Sequence, residues 1–375
     1  MPKEYKPLFG SADIRSIEQE LLDIVKLKLQ QKYGNAPDKR IAERVKEEWF
    51  EIERSGLAAD IATLYEVVTW LKENRHPYWI RACAGSSFIL YLLEITFGNP
   101  LPAHTLCTEC KTVKWYDRYK DGFDIPQDYI CDNDSSTLIP DGHNIPWQTF
   151  FGYGEHIPVI AIDLTQDVYE HLHSVLEKHW IAKMNPESPF KCLTRGEQAC
   201  IDVSQLSLAF GLNRNEISTS FFEKNCSADD YEILVYGWRN YINYEPSDEN
   251  DYFINHEPYS VADLISLIGL LHSNGAWDEI TEMMVTEMGY SYSDLICFRD
   301  DVFLYLTEHD FLEKESWKGM ESVRKGRGLP FFNQEMVAAR DKWVLARLEQ
   351  VHYLFPKADV VENLMFRLKA STINA

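Results

Sequence analysis

The stretch WIRACAGSSFILYLLEITFGNPLPAHTLCTEC, Trp79 to Cys110, combines three local signals of function. It contains a Gly85-Ser86-Ser87 turn, an apolar run from Phe88 that predicts a helix, and a Cys107-x-x-Cys110 pair. A Gly-Ser-Ser turn ahead of a helix can present backbone N–H groups and hydroxyls to a phosphate, with Arg81 as a nearby charge partner. Small residues also cap many ordinary helices, so the turn alone does not distinguish phosphate binding from capping.

A second motif of the same spacing follows the first cysteine pair. Cys131-x-x-Asp134 is separated from the first pair by a loop, and two such motifs are typical of zinc knuckles around a tetrahedral Zn²⁺. A carboxylate can ligate zinc, and His143 is near enough in the sequence to take the place of the aspartate. We therefore predict a zinc site, with a knuckle that has lost its metal as the alternative. The predicted ligands are Cys107, Cys110, Cys131 and Asp134.

The composition restricts where nucleic acid could bind. The chain has 375 residues, of which 45% are hydrophobic, so it can bury a sizeable core and form more than one domain. Its net charge of −22 repels phosphate backbones, and any nucleic-acid binding must therefore be local. The cationic segment from Lys314 to Arg347 could provide it, or could be an ordinary solvated helix face.

The cellular setting is also restricted by the sequence. The N-terminal residues lack the apolar stretch of a signal peptide, and no uncharged apolar run reaches the roughly 20 residues of a membrane-spanning helix. Eight cysteines in a chain of this length do not form a disulfide-dense pattern. We therefore expect a cytoplasmic protein that does not bind a membrane.

Hydrophobic periodicity predicts most of the local structure in the first half of the chain. It predicts an amphipathic helix over residues 12–32, a second helix that ends at Gly56, and a third over about 60–72. The run YWIRAC favours a short strand, and IPVIAIDL, Ile157 to Leu164, favours a buried strand. The Pro-, Gly- and Asp-rich segment from Asn99 to Pro158 predicts ordered loops.

Two blocks of the chain resemble the PolC-type replicative DNA polymerases, the α-subunit class of bacterial DNA polymerase III. The first block, Lys32 to Tyr153, contains WIRACAGSSF, ITFGNPLPAHTLCTEC and DGHNIPWQTFFGY in the order of the family's palm. The second block, about Tyr259 to Arg367, contains ADLISLIGLLHSNGAW, LICFRDDVFLYL, MESVRKGRGLP and YLFPKAD in the order of the fingers. The shared order of so many stretches makes coincidence a poor explanation.

The resemblance implies an α+β fold. A nucleotidyltransferase-like palm with an inserted zinc-knuckle module would precede a mainly helical, fingers-like domain. The expected divisions are an N-terminal helix over 1–36, the palm-like domain over 37–185 with its knuckle module over 103–146, a diverged helical connector over 186–258, and the fingers-like domain over 259–375.

The carboxylates that the family uses for catalysis are replaced in this chain. They lie on one strand and hold the Mg²⁺ ions that activate the primer hydroxyl and neutralise the leaving pyrophosphate. Here Val159 and Ala161 occupy the two positions. Asp163 lies on the same strand face about 7 Å further along, and Asp202 is our one candidate for the third carboxylate. The resemblance therefore implies that no catalytic residues remain and that magnesium is not expected.

The phosphate-binding positions of the family have changed as well. The family has Gly-Ser-Arg-Gly-Ser-x-Gly-Ser-Ser in the turn, and this chain retains only the arginine and the final triplet. In the fingers, Phe-Pro-Lys-Ala-His becomes a sequence ending in Asp359, an anion where a nucleotide phosphate would approach. The remaining candidates for phosphate or DNA binding are Arg81, Ser86, Ser87, Lys318, Arg324, Lys325, Arg327 and Lys357.

The functional prediction is a catalytically inactive pseudo-polymerase. It would bind primer–template DNA, a nucleotide or replisome proteins, and would compete with or regulate replication in a phage, mobile-element, defence or host setting. Two alternatives stay open. Asp163 and Asp202 could rebuild a divalent-metal site for nucleotidyl transfer, or the net charge of −22 could let the chain mimic DNA.

Overall fold

The computed structural model describes residues 14–76, 78–126, 129–155, 158, 160–164, 168, 190–191, 258, 260–329 and 342–371. Several predictions therefore lie outside the described residues. These are the loss of a carboxylate at Val159, the candidate carboxylate Asp202, and the helical connector over 186–258, of which almost all is outside.

Three helices open the described chain, as the periodicity predicted. Helix α1 spans Ile14–Tyr33 and α2 spans Lys39–Ser55, where the Asp38 side chain caps the first turn by accepting from the Arg40 N–H. Gly56 ends α2 with a φ of 68°, a left-handed conformation that glycine adopts without strain. Helix α3, Ala58–Glu73, begins two residues earlier than its periodicity suggested, and it is buried on nearly every face.

The Gly-Ser-Ser turn connects a strand to a shorter helix than predicted. Strand β1 spans Trp79–Arg81, a 3-10 helix covers Ala82–Ser86, and α4 spans only Phe88–Leu92. The helix ends before the apolar run does, because Glu94 adopts a left-handed φ of 57° and the Ile95 N–H donates to the Leu90 carbonyl.

The segment predicted as ordered loops contains a small antiparallel sheet. Strands β2 (His104–Cys107), β3 (Val113–Trp115) and β4 (Leu138–Asp141) pair in the order β3-β2-β4. His104 lies opposite both Trp115 and Asp141. Such short strands among prolines and glycines have no periodicity of their own, and only pairing between distant residues reveals them.

A second small sheet joins the turn to the predicted buried strand. After α5 (Gln148–Phe151) come β5 (Ile160–Asp163) and β6 (Phe190–Lys191). Strand β5 is central: it pairs antiparallel with β1 and parallel with β6.

The remaining described chain is helical, as predicted. Ser260 caps its first helix and Asp278 caps the second, each through a side-chain oxygen that accepts a backbone N–H. These C-terminal helices are α6 (Val261–His272), α7 (Glu279–Thr286), α8 (Arg299–Glu308), α9 (Glu313–Val323), α10 (Lys342–Gln350) and α11 (Lys357–Ser371).

One hydrophobic core runs through both halves of the described chain. It extends without interruption from Ile17 in α1 to Phe366 in α11, and α11 packs on β1 and on the 3-10 helix of the turn. The described residues thus combine helices with two small sheets, as expected for an α+β protein. Within them, none of the helices has the length and apolar character needed to cross a bilayer.

Candidate functional site

The two serines of the Gly-Ser-Ser turn are completely buried. The Ser87 hydroxyl accepts from the Leu90 N–H at 3.3 Å, which caps α4, and donates to Glu48 Oε2 at 2.7 Å. The Ser86 hydroxyl lies 3.1 Å from Thr149 Oγ1. Both hydroxyls are therefore engaged within the protein.

The Glu48 carboxylate occupies the N-terminus of α4, where the predicted phosphate would bind. Its oxygens accept from the backbone N–H groups of Phe88 at 2.9 Å and Ile89 at 3.1 Å. Arg44 forms an ion pair with Glu48 and donates to the Ser86 carbonyl at 2.7 Å. Phosphate binding by Ser86 and Ser87 stays a prediction, and it would require this carboxylate to be displaced.

The Arg44–Glu48 pair was not singled out from the sequence. Its signal was present, because an arginine and a glutamate four residues apart on α2 are neighbours on a helix surface. Such pairs are usually solvent-exposed, however, and only the tertiary structure shows that the Glu48 side chain is 0% exposed.

The C-terminal helices contact the turn through a buried arginine. Arg299 Nη2 donates to Cys83 Sγ at 2.6 Å and to the Thr149 carbonyl at 2.7 Å. Burial raises the pKa of the Cys83 thiol, and the nearby guanidinium groups of Arg299 and Arg324 oppose that effect. The charge of Asp359 also raises the pKa of this thiol. Two residues singled out from the sequence, Asp359 in α11 and Arg324 directly after α9, therefore lie near the turn.

The predicted DNA-binding cations in α9 and directly after it are only partly available. Arg324 and Lys325 both bind Glu321, Lys325 at 2.8 Å. Burial alone would raise the pKa of Glu321, but the hydrogen bonds from these two cations lower it to about 2. Lys318 and Arg327 are exposed and leave a smaller patch than the sequence suggested.

The ends of the predicted cationic segment have other roles. Arg347 is 4% exposed and donates to Thr281 and to the carbonyls of Ala276 and Ile296, so its assignment to a surface patch was wrong. Lys314 forms an ion pair with Glu155 at 2.8 Å. Lys357, a predicted phosphate-binding residue beyond this segment, is half-buried, and its backbone N–H donates to Asp300 Oδ2 at 2.8 Å.

The strand predicted to have lost its carboxylates lies directly beside the turn. In the β1–β5 register, Ala161 is opposite Arg81 and Asp163 is opposite Trp79. Ala161 and Asp163 are two residues apart and therefore share one face of β5. The structure thus places one predicted degenerate position and the residual aspartate in the same sheet as β1, the strand that leads into the turn.

The four predicted metal ligands form a compact cluster. The ligand atoms of Cys107, Cys110, Cys131 and Asp134 all lie within 4.8 Å of one another. Cys110 Sγ is 3.4 Å from Cys131 Sγ, and Cys107 Sγ is 3.3 Å from Asp134 Oδ2. Such a cluster could hold a metal ion.

His143 does not take part in this cluster. Its Nδ1 lies 2.7 Å from Asp121 Oδ2, and both side chains are fully or almost fully buried. Sequence proximity had made His143 a substitute for Asp134, and that alternative was wrong because the ring is committed to Asp121.

The two halves of the cluster share one backbone geometry. The fourth residue after each leading cysteine is left-handed, with a φ of 62° at Lys111 and 60° at Ser135. Its N–H bonds to the carbonyl of that cysteine, at 3.0 Å in the first half and 2.9 Å in the second. The N–H of each leading cysteine donates to the carbonyl of the residue that follows the left-handed one. These carbonyls belong to Thr112, at 3.0 Å, and Ser136, at 2.8 Å.

The donor set suits a metal that accepts sulfur and oxygen. Hydrogen bonds with Thr112 lower the pKa of the Cys110 thiol to about 7. The Asn133 N–H favours the thiolate of Cys131, but burial and the adjacent Cys110 raise the pKa of Cys131 to about 11. Hydrogen bonds from Ser136 hold the pKa of Asp134 below its ordinary value. Three thiols and an ionised carboxylate are donors that zinc accepts.

Comparison with known proteins supports the predicted family. Residues 19–202 match the model of the bacterial DNA polymerase III alpha NTPase domain. The DNA polymerase III PolC-type of Thermotoga petrophila is 23% identical over 98% of this chain and 34% of its own length. The PolC-type enzymes of Ureaplasma parvum and Listeria monocytogenes are each 21% identical, over 95% and 98% of this chain and 32% and 33% of their own lengths.

The alignments also show how this chain differs from those relatives. It spans about a third of the length of the curated relatives it matches. The alignments run over 463 to 483 positions against a chain of 375 residues, so the relatives contain residues within the matched region that this chain lacks. Taken together, the family match and the near-complete coverage of the chain identify it as a diverged homologue of the PolC-type DNA polymerase III.

Proposed function

We propose that the protein is a PolC-like pseudo-polymerase that acts in DNA replication in the cytoplasm. In this proposal it binds primer–template DNA or replisome proteins and competes with, or regulates, an active polymerase. It keeps the framework of the palm and fingers without the metal-binding carboxylates.

The observation that carries the proposal is the apolar character of β5 beside the turn. Ala161 lies opposite Arg81, at one position where the family has a carboxylate, and Val159 occupies the other in the sequence. Without those carboxylates the strand cannot hold the magnesium ions that offset the charge developing in phosphoryl transfer. Electrostatic stabilisation of this kind typically contributes several kcal/mol to catalysis, so efficient polymerisation is not expected.

The surroundings of the turn support the same proposal. Glu48 places a carboxylate at the N-terminus of α4, and Asp359 adds an anion near Cys83. A triphosphate approaching the turn would meet both negative charges. Nucleic-acid binding would then depend on other cations, of which Lys318 and Arg327 are exposed.

We also propose that the cysteine cluster holds a structural zinc ion. Cys107, Cys110, Cys131 and Asp134 would be its four ligands, which leaves no open position for catalysis. Among the described residues, the pairing of β2 with β4 joins the two halves of the cluster, and the ion would add a second connection between them. The knuckle module would thereby keep its shape on the surface of the protein.

Two assays with the purified protein test the pseudo-polymerase proposal. We expect no primer extension with Mg²⁺ or Mn²⁺, and we expect binding to a labelled primer–template or capture of replisome subunits. Replacing Lys318 and Arg327 with glutamine should weaken DNA binding and reduce its salt dependence. The matched control is Lys26→Gln, which changes a lysine that is 60% exposed on α1.

Two results would contradict the proposal. Primer extension that disappears in Asp163→Asn would show that a divalent site has been rebuilt and would favour the nucleotidyltransferase alternative. A protein that binds neither primer–template nor any replisome subunit would leave no role for the retained framework.

A further inference from the structure

One ten-residue segment of the knuckle module is cationic, although the protein as a whole is strongly acidic. Residues 111–120 contain four cations and a single acid, Asp117, whereas the whole chain has a net charge of −22. Asp117 accepts from Arg40 at 3.3 Å, and Lys120 binds Asp294 at 2.5 Å. Lys114 and Arg118 are exposed, and among the described residues no carboxylate lies within salt-bridge distance of either. Within the described part of the chain, these two cations therefore have no acidic partner and can attract an anionic ligand.

Three half-buried tyrosines lie beside these cations. The rings of Tyr116 and Tyr129 are stacked, with centroids 5.7 Å apart and planes 16° from parallel. The Tyr119 ring lies 6.3 Å from Tyr116 at an angle of 57°. We call these three residues the tyrosine platform. Each of the three residues is partly exposed to solvent.

The platform is anchored in the cysteine cluster. Tyr129 packs against the small buried cluster of Cys107, Cys131 and Leu138, and its carbonyl accepts from the Leu138 N–H at 3.0 Å. This packing limits the positions that the Tyr129 ring can adopt. A stacking surface held in this way loses little conformational freedom when a ligand binds.

The available cations are interleaved with the tyrosine rings. The guanidinium of Arg118 lies 4.7 Å from the centroid of Tyr119 and donates to the hydroxyls of Tyr119 at 3.0 Å and Tyr129 at 3.1 Å. The ammonium of Lys114 lies 5.8 Å from the centroid of Tyr116. Aromatic faces alternating with cations are typical of surfaces that bind single-stranded nucleic acids.

We propose that the tyrosine platform binds single-stranded nucleic acid, with bases stacked on the rings and phosphates held by Lys114 and Arg118. The proposal rests on the nucleic-acid binding proposed above and adds a contact site outside the palm and fingers. A duplex does not fit this chemistry as well, because its bases are already stacked on each other. An acidic peptide would be attracted by the cations but would make no use of the rings.

Fluorescence anisotropy with a labelled oligothymidylate of about 16 nucleotides tests the platform. Tyr119→Ala removes one ring and should weaken binding by about fivefold or more. Tyr119→Phe keeps the ring and removes only the hydroxyl, so it is the matched control and should bind within about twofold of wild type. Circular dichroism spectra should show that both variants remain folded.

The contribution of charge is measured separately. Lys114→Gln should reduce the slope of log affinity against log salt by about 0.7, the value for one phosphate contact on a single strand. Lys26→Gln on α1 should leave that slope unchanged.

Three outcomes would overturn the proposal: no binding of the oligothymidylate, equal affinity of Tyr119→Ala and wild type, or competition by polyglutamate as effective as by the unlabelled oligonucleotide. If the platform variants bind like wild type while the protein still binds primer–template, the platform is wrong and the pseudo-polymerase proposal stands. If the oligothymidylate binds through the platform but neither primer–template nor replisome subunits bind, the pseudo-polymerase proposal is wrong and the platform stands.

Discussion

Glu48 is a buried carboxylate whose partners come from three different segments of the chain. Arg44 pairs with it from the same helix, the Ser87 hydroxyl donates to it from the turn, and the N–H groups of Phe88 and Ile89 donate to it from α4. A buried charge is tolerated only when such partners compensate for the loss of water. Glu48 therefore fixes the turn that the sequence suggested as a phosphate site.

Removal of this carboxylate should be strongly destabilising. In Glu48→Ala, Arg44 becomes a nearly buried charge without its carboxylate, and two backbone N–H groups lose their acceptor. We expect the free energy of unfolding to fall by about 3–5 kcal/mol in urea denaturation. Glu43→Ala, on the same helix with its side chain 56% exposed, should stay within about 0.5 kcal/mol of wild type. Equal stability of the two variants would contradict this role of Glu48.

At the scale of elements, one carboxylate joins the knuckle module to the C-terminal helices. Asp124 ends the 3-10 helix Gly122–Asp124 and accepts from the N–H groups of Val261 at 2.7 Å and Ala262 at 3.0 Å, in the first turn of α6. Burial, followed by the nearby charge of Asp121, raises the pKa of Asp124 to about 7.

This raised pKa predicts a specific pH dependence of stability. Since the folded protein holds a proton that the unfolded chain releases near pH 4, the contribution of Asp124 to stability falls as the pH rises from about 4 to about 7 and is constant above that range. Asp124→Asn cannot titrate. The free energy of unfolding of this variant minus that of wild type should therefore increase between about pH 4 and about pH 7 and stay constant above that range. A difference independent of pH would show that Asp124 has an ordinary pKa.

The two halves of the cysteine cluster differ in their last donor. Because thiolates are softer ligands for zinc than carboxylates, Asp134→Cys should bind zinc more tightly, as measured by competition with a chromophoric chelator. Cys131→Ser should lower the zinc content of the purified protein in elemental analysis. Asp132→Asn, an exposed position between these ligands, is the control and should leave zinc content unchanged. Zinc content unaffected by Cys131→Ser would remove the case for this site.

At the scale of the whole molecule, α11 is fastened to the first half of the chain by Glu362. This side chain is completely buried, and its carboxylate accepts from the N–H groups of Phe97 at 2.9 Å and Gly98 at 2.8 Å. The hydrophobic core continues across the same contact. The two halves are therefore expected to unfold together.

A combination of two probes tests this coupling. Tryptophan fluorescence and circular dichroism should give coincident unfolding curves for wild type. Glu362→Ala leaves buried N–H groups unpaired and should lower the free energy of unfolding by about 2–5 kcal/mol. Glu308→Ala, an exposed residue at the end of α8, serves as control. Two separate transitions in the wild-type protein would contradict a single cooperative core.

Local patterns in the sequence were sufficient to predict several helices, the metal-ligand candidates and the family. Helices α1 to α3 follow from apolar spacing and from the glycine after α2, because these signals act over a few neighbouring residues. The four metal-ligand candidates follow from spacing as well, and the structure brings them together. The ordered succession of motifs predicted a PolC-type homologue, which the comparisons confirm.

Contacts between distant residues decided the rest. Strands β2 to β4 form only because segments distant in the sequence pair with one another, as His104 does with Asp141. Spacing alone could not show that His143 pairs with Asp121 or that Arg347 is buried. It also could not show that the Glu48 carboxylate accepts from the first backbone N–H groups of α4. Periodicity reports which residues share a face, but burial and the choice of partner depend on what packs against that face. The sequence by itself therefore determined helices α1 to α3, the metal-ligand motifs and the family. The tertiary structure decided which polar residues hold the fold together and which remain open to a ligand.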